Sequence, residues 1–168
     1  IHRTPYGGRN FEYYSDDGFL SGMMSAYEVA AIQAKGVHVV MKHFALNDCE
    51  QDRIGLGVWI NEQAAREVYL KAFQAPVEVG NGNGVMIAYT RWGAVWSGGN
   101  AGLVNGILRG EWGCDGMVIT DNVLNVYVNG PDGVLAGVSI YDAMMPYVTD
   151  KLPEYKNDGV IVSAMREA

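Results

Sequence analysis

The sequence predicts an α/β fold of about four parallel βα units, a partial (β/α)8 barrel of the TIM type. Two observations carry this. Short, continuous apolar runs without polar alternation recur along the chain, as expected for strands covered on both faces. They alternate with longer stretches of helical period. The length then sets how much of a barrel is present, since a whole one takes ~250 residues and this chain has 168. A doubly wound sheet fits the same alternation. The opening loop and helix have no strand ahead of them, so the chain reads as roughly the second half of a barrel.

Residues 1–20, IHRTPYGGRNFEYYSDDGFL, show no clear period, and Pro5, Gly7, Gly8 and Gly18 mark a loop. Met24, Tyr27, Ala31 and Ala34 fall at helical spacing and predict a helix over 21–35, stopped by Gly36. VHVVM, 37–41, predicts a buried strand. A polar loop follows over 42–61. Ala65, Val68, Tyr69, Ala72, Phe73 and Val77 form one apolar stripe, which predicts a helix over 62–79 with Pro76 near its end. GNGNG, 80–84, is a turn and VMIAY, 85–89, a strand. A loop bearing Trp92 and Trp96 leads to a helix over 101–112. GMVIT, 116–120, and VLAGVSI, 134–140, predict the third and fourth strands, and 151–168 a last helix.

Composition excludes several function classes. The net charge is −7, and no run of Lys and Arg is present. Both features argue against nucleic acid or an anionic membrane as partner. No stretch reaches the ~20 apolar residues of a membrane-spanning helix, and no signal peptide is recognisable. Cys49 and Cys114 are no disulfide framework and are expected free and buried. His2, His38 and His43 form no zinc pattern, so no metal or other cofactor is expected. GNGNG follows a helix and lacks a succeeding Lys-Ser or Lys-Thr, which argues against a phosphate loop. The chain begins at Ile1 and stops inside a helical pattern, so it is expected to be a piece of a longer protein.

In parallel α/β folds, chemistry gathers at the C-terminal strand ends. Those ends carry Lys42-His43, Tyr89, Asp121 and Tyr141-Asp142. The loops beyond them hold Asn47, Asp48, Glu50, Arg53, Arg91, Trp92, Trp96 and Asn122. Such a mix suits sugar binding, because charged groups take hydroxyls and aromatic rings cover the apolar face of a pyranose. Plainer readings stand beside it. Lys42-His43 could pair with Asp48 or Glu50, the tryptophans and Tyr141 could be core residues, and Asp121 could cap a turn.

Five blocks carry a family resemblance: GRNFEYYSDDGFLSG (8–22), KHFALNDCEQDR (42–53), REVYLKAF (66–73), VMIAYTRWG (85–93) and ILRGEWGCDGMVITD (107–121). Their order and spacing resemble glycoside hydrolase family 3, the β-glucosidase and β-xylosidase type. The resemblance implies that residues 1–168 are the C-terminal part of a barrel domain. Asp121 then matches the catalytic nucleophile. Arg9, Lys42, His43 and Arg53 match ligands of the sugar hydroxyls, and Tyr89 matches the tyrosine near the nucleophile. Glu12 matches a position that supports the arginine-lined wall. Asn122 and Trp92 are further candidates for contact with substrate.

The implied reaction is retaining, exo-acting hydrolysis of a β-glycosidic bond through a covalent glycosyl–enzyme. The implied substrate is a β-linked glucoside or oligosaccharide. The first barrel strands, and a following α/β sandwich domain that supplies the acid/base, lie outside these residues. Both are implied partners of the chain, which is expected to be inactive and unstable alone. Asp48 and Glu50 are the nearby carboxylates that could substitute for the missing acid. Two departures from the family pattern matter. Many members place Trp where this chain has Asn122, which puts the aromatic wall of the subsite in question. KHFALND replaces the KHFPGHG-type segment of the N-acetylhexosaminidase branch, which favours a glucosidase-like enzyme. A non-catalytic sugar-binding or structural fragment and a glycoside phosphorylase are the alternatives.

Overall fold

The computed structural model describes residues 1–122, 128–142 and 152–168. Its strands are β1 (Met41–Phe44), β2 (Gly57–Val58), β3 (Gly84–Ile87), β4 (Arg91–Trp92), β5 (Val95–Trp96) and β6 (Met117–Thr120). Its α-helices are α1 (Gly18–Gln33), α2 (Glu62–Ala64), α3 (Lys71–Glu78), α4 (Gly130–Ala136) and α5 (Gly159–Glu167). Two helical segments, Ala65–Tyr69 and Gly102–Glu111, are wound more widely. There, amides reach back five residues, as in Leu70 N–H to Ala65 O at 2.8 Å and Trp112 N–H to Ile107 O at 3.0 Å.

The central sheet has the order β1-β3-β6 and is parallel throughout. Val85, Val118 and Ile87 are fully buried on it, as their continuous apolar sequences demand. Phe44 anchors the layer beneath, meeting Phe73 edge-on at 5.2 Å and Trp112 at 6.0 Å between ring centroids. The peptide bonds Lys42–His43 and Phe44–Ala45 are cis. The second sheet pairs β2 parallel with β4, and β4 antiparallel with β5. It occupies what the sequence predicts as loop on either side of 85–89. Neither sheet closes on itself among the described residues, so the α/β class with a parallel sheet holds without a closed barrel.

Helices begin where short polar side chains cap free amides. Asp17 accepts from Leu20 N–H at 2.7 Å, Asn61 from Ala64 N–H at 2.8 Å, and Asp158 from Val160 and Ile161. α1 crosses α3 closely at Gly22, where a Cβ would stand 2.8 Å from the Lys71 carbonyl oxygen. Pro76 lies inside α3, and its carbonyl accepts from Gly82 N–H at 2.8 Å.

Four expectations need correction. The first strand runs over Met41–Phe44 rather than 37–41, because pairing with β3 starts at Met41↔Val85. Lys42 and His43 therefore lie within the strand and not beyond its end. The run 134–140 is not a strand: α4 covers Gly130–Ala136, and only Ile140 bridges to Ile119. Asn129 caps that helix, and Gly137 ends it with a φ of +99°, a conformation glycine adopts without Cβ strain. The first helix starts at Gly18 rather than 21, set by the Asp17 cap. Cys49 is only half-buried in its loop, whereas Cys114 is buried; both are free thiols.

Residue 151, where the sequence predicts the last helix to begin, lies outside the described residues. A short 3-10 turn at Leu152–Tyr155 precedes α5. No helix among the described residues is long and apolar enough to cross a membrane.

Candidate active site

Polar side chains knit the C-terminal ends of the parallel strands together. Ala88 N–H donates to Phe44 O at 2.8 Å, and Asp121 N–H donates to Ile87 O at 3.2 Å. The buried Thr90 hydroxyl donates to Ala45 O at 2.9 Å, and the Trp96 indole donates to Ala88 O at 3.0 Å. These bonds satisfy backbone groups that would otherwise be orphaned inside the fold. They also fix where β6 stops, which is the residue before Asp121.

Asp121 is held on three sides. Asn122 N–H donates to its Oδ1 at 2.8 Å. His43 Nε2 stands 3.4 Å from its Oδ2, with the imidazole 1% exposed. The Tyr89 hydroxyl lies against it too: burial first, then the Asp121 charge, pushes that phenol up to about 12. The same hydroxyl donates to Asn122 O at 2.6 Å. The Arg53 guanidinium covers the Tyr89 ring, 4.4 Å from its centroid.

A charged lattice lies beside the two residues that touch this carboxylate, His43 and Tyr89. Glu12 binds Arg9 through Oε1 and the Lys42 ammonium through Oε2 at 3.2 Å. Glu50 bridges Arg9 at 3.3 Å and Arg53 at 3.2 Å. Three cations, Arg9, Lys42 and Arg53, are thus tied together by two carboxylates, Glu12 and Glu50. Burial alone would raise the Glu12 carboxyl. The hydrogen bonds and charges of Arg9 and Lys42 outweigh it and hold the group below the usual carboxylate range. His43 behaves oppositely: burial, with Arg9 and Lys42 beside it, lowers its pKa to about 3. The contact between His43 and Asp121 is therefore that of a neutral imidazole with a carboxyl group, not an ion pair.

The structure brings together Arg9, Glu12, Lys42, His43, Arg53, Tyr89, Asp121 and Asn122. It sets Trp92 elsewhere. That indole belongs to the second sheet, packs on the hydrophobic core and donates to Ile60 O at 3.4 Å. Trp96 is buried beneath the strand ends. Asp48 faces the Ile1 amino group at 3.2 Å. Glu50 spends both oxygens on Arg9 and Arg53, which suits it to hold the arginines rather than donate a proton. Sequence reasoning missed Tyr13, whose hydroxyl stands 3.2 Å from His43 Nδ1. It lies in the 8–22 block, and an aromatic four residues after Arg9 was the available signal.

Residues 1–135 match the family described as Glycosyl hydrolase family 3 N terminal domain. The chain belongs to this family. It is 40% identical over 130 residues to a β-glucosidase of Ruminococcus albus, covering 77% of this chain and 14% of that protein. It is 41% identical over 121 residues to β-glucosidase B of Emericella nidulans, covering 72% of this chain and 14% of that protein. The chain thus spans about a seventh of the length of these relatives. A solved structure, β-glucosidase 3B from Thermotoga neapolitana in complex with α-D-glucose, superposes with a TM-score of 0.90 at 31% identity. That match covers 99% of this chain and 25% of the other. The family 3 β-glucosidase of Bifidobacterium adolescentis superposes with a TM-score of 0.87 at 32% identity, covering 99% and 26%.

Proposed function

We propose that residues 1–168 form the C-terminal part of a barrel domain and carry the nucleophile of a retaining, exo-acting, β-glucosidase-like glycoside hydrolase. One observation carries this reading. The Asp121 carboxylate stands at the end of a parallel strand against His43 and Tyr89, and the cations Arg9, Lys42 and Arg53 lie beside those two residues. β1, β3 and β6 are then consecutive barrel strands, and Ile140 begins the next. The named relatives are β-glucosidases, and one is held with glucose, which supports a glucoside as substrate.

The geometry suggests a division of labour. An Asp121 oxygen attacks the anomeric carbon of the sugar, the bond to the aglycone oxygen breaks, and a glycosyl ester forms. Water then cleaves the ester with overall retention. Arg9, Lys42 and Arg53 donate to sugar hydroxyls, and Glu12 and Glu50 fix their directions before substrate arrives. Donors aimed in advance lose little freedom when the transition state forms. The acid/base comes from outside residues 1–168, on a following α/β sandwich domain, and the remaining barrel strands complete the substrate pocket. The chain alone is therefore inactive. Asn122 contributes backbone groups, not an aromatic face, to the subsite.

Product analysis on the natural full-length protein tests this reading. Proton NMR of β-glucoside cleavage should show β-glucose as the first product, at a rate independent of phosphate. Glucose 1-phosphate as product would mark a phosphorylase, and no turnover would mark a binding module.

A further inference from the structure

We propose that Tyr13, His43 and Asn47 form a reversible hydrogen-bond chain behind Asp121. Tyr13 is its positioning residue: its single hydroxyl proton changes partner when the charge on Asp121 is lost. The proposal rests on Asp121 being the group that becomes esterified.

The Tyr13 hydroxyl stands 3.2 Å from His43 Nδ1 and equally 3.2 Å from the Asn47 carbonyl oxygen. It owns one proton and cannot serve both acceptors fully. His43 is neutral, because burial and the cations Arg9, Lys42 and Arg53 oppose its protonation and outweigh the carboxylates Glu12 and Asp121 beside it. A neutral imidazole carries one ring proton, and the hydrogen bond at one nitrogen decides where it sits.

Two complete arrangements follow. With Asp121 ionised, the ring proton belongs on Nε2, facing Oδ2 at 3.4 Å. A bare nitrogen lone pair against a carboxylate would be repulsive. Nδ1 then accepts from Tyr13. With the charge on Asp121 gone, Nε2–H faces at most a neutral oxygen, which holds the proton less strongly than a carboxylate does. The chain can then run the other way, Nδ1–H to the Tyr13 oxygen and Tyr13 O–H to Asn47 O, with every donor used. One proton leaves Nε2 and one arrives at Nδ1 by exchange with water, while the hydroxyl swings, so the proton count of the group is unchanged. Nε2 then offers a lone pair toward the sugar while the ester persists. A phenylalanine at position 13 could support neither bond.

Nitrogen-15 NMR of the natural full-length protein, labelled at histidine, reads this directly. Wild type should carry the His43 proton on Nε2 only, with Nδ1 accepting a hydrogen bond. Asp121→Asn should populate the Nδ1–H tautomer, and Asp121→Asn combined with Tyr13→Phe should remove it again. Tyr13→Phe alone should keep Nε2–H and shift the Nδ1 resonance toward that of a bare nitrogen. Tyr14→Phe, which removes only the hydroxyl bonded to Glu28, controls for local disturbance and should leave His43 as in wild type. A proton on Nδ1 in wild type, an Asp121→Asn spectrum identical to wild type, or an Nδ1 resonance untouched by Tyr13→Phe would overturn the proposal. None of these readouts needs turnover. Failure of the chain is thus separable from failure of Asp121 as nucleophile, which covalent labelling tests independently.

Discussion

His43 is the side chain through which acid acts on this fold. Its folded pKa, about 3, lies below the ordinary 6.5 because the buried ring excludes the proton and adjacent cations repel it. An unfolded chain takes that proton near pH 6.5, so the stability is fully present above that pH. It is lost progressively as pH falls toward 3, by up to about 1.4 kcal/mol per unit. Glu12 adds a loss of the same sign further down, since its depressed carboxyl stabilises above its ordinary 4.5 and ceases to as pH drops through the folded value. Urea midpoints should therefore fall between pH 6.5 and 4.5, and His43→Gln should flatten that fall. Equal slopes in the two proteins would contradict the assignment. For activity, Asp121→Asn should slow β-glucoside cleavage on the order of 10⁴-fold, the scale on which single members of covalent catalytic sites act. Single-turnover rates of the full-length protein measure this. At this scale the sequence was most informative where charge and strand position coincide. Asp121 could be placed from an apolar run ending in an acid. The tie of Tyr13 to His43 spans 30 residues of separation and leaves no local trace.

Strands buried on both faces are legible from sequence, but their ends are set by pairing. The β-branched run 37–40 looks more like a strand than Met41–Phe44 does, yet β3 offers partners only from Val85 onward. That shift moves Lys42 and His43 into the sheet, one exposed and one buried. VLAGVSI failed for a different reason. A short apolar run does not by itself distinguish strand from helix. The deciding signals lay outside it, in the Asn129 cap, Pro131 in the first turn and the left-handed Gly137. Helix starts make a direct test. Asp17→Ala removes the acceptor of the Leu20 amide and should cost about 1 kcal/mol by urea unfolding. Gly22→Ala forces α1 away from α3, because its new methyl would meet the Lys71 carbonyl at 2.8 Å. It should cost about 1–3 kcal/mol. Unchanged stability in Gly22→Ala would mean the two helices are not packed as described.

At the scale of the whole molecule, the parallel sheet is open. β1 pairs on one side only among the described strands, and past β6 the pairing thins to the single Ile119–Ile140 bridge. Parallel sheets with uncovered edges recruit further strands. The isolated 168-residue chain should therefore associate at micromolar concentration in sedimentation velocity and run as a soluble complex when co-expressed with the remaining barrel and sandwich domain. A stable monomer would argue that the open edge is satisfied within these residues. Alternating apolar runs and helical stripes made the α/β class legible, and the length made a whole barrel implausible. The two-residue strands of the second sheet were not legible, because they arise from hairpin geometry around Gly93 rather than from an apolar pattern. In the proposed reaction Asp121 forms a covalent bond to the sugar. Treatment of the natural full-length protein with a 2-fluoro-β-glucoside, followed by peptide mass spectrometry, measures that bond. One fluoroglucosyl adduct is expected, on the peptide containing Asp121, formed as activity is lost; an adduct on another carboxylate, or inactivation with Asp121 unmodified, would contradict the role of Asp121 as nucleophile.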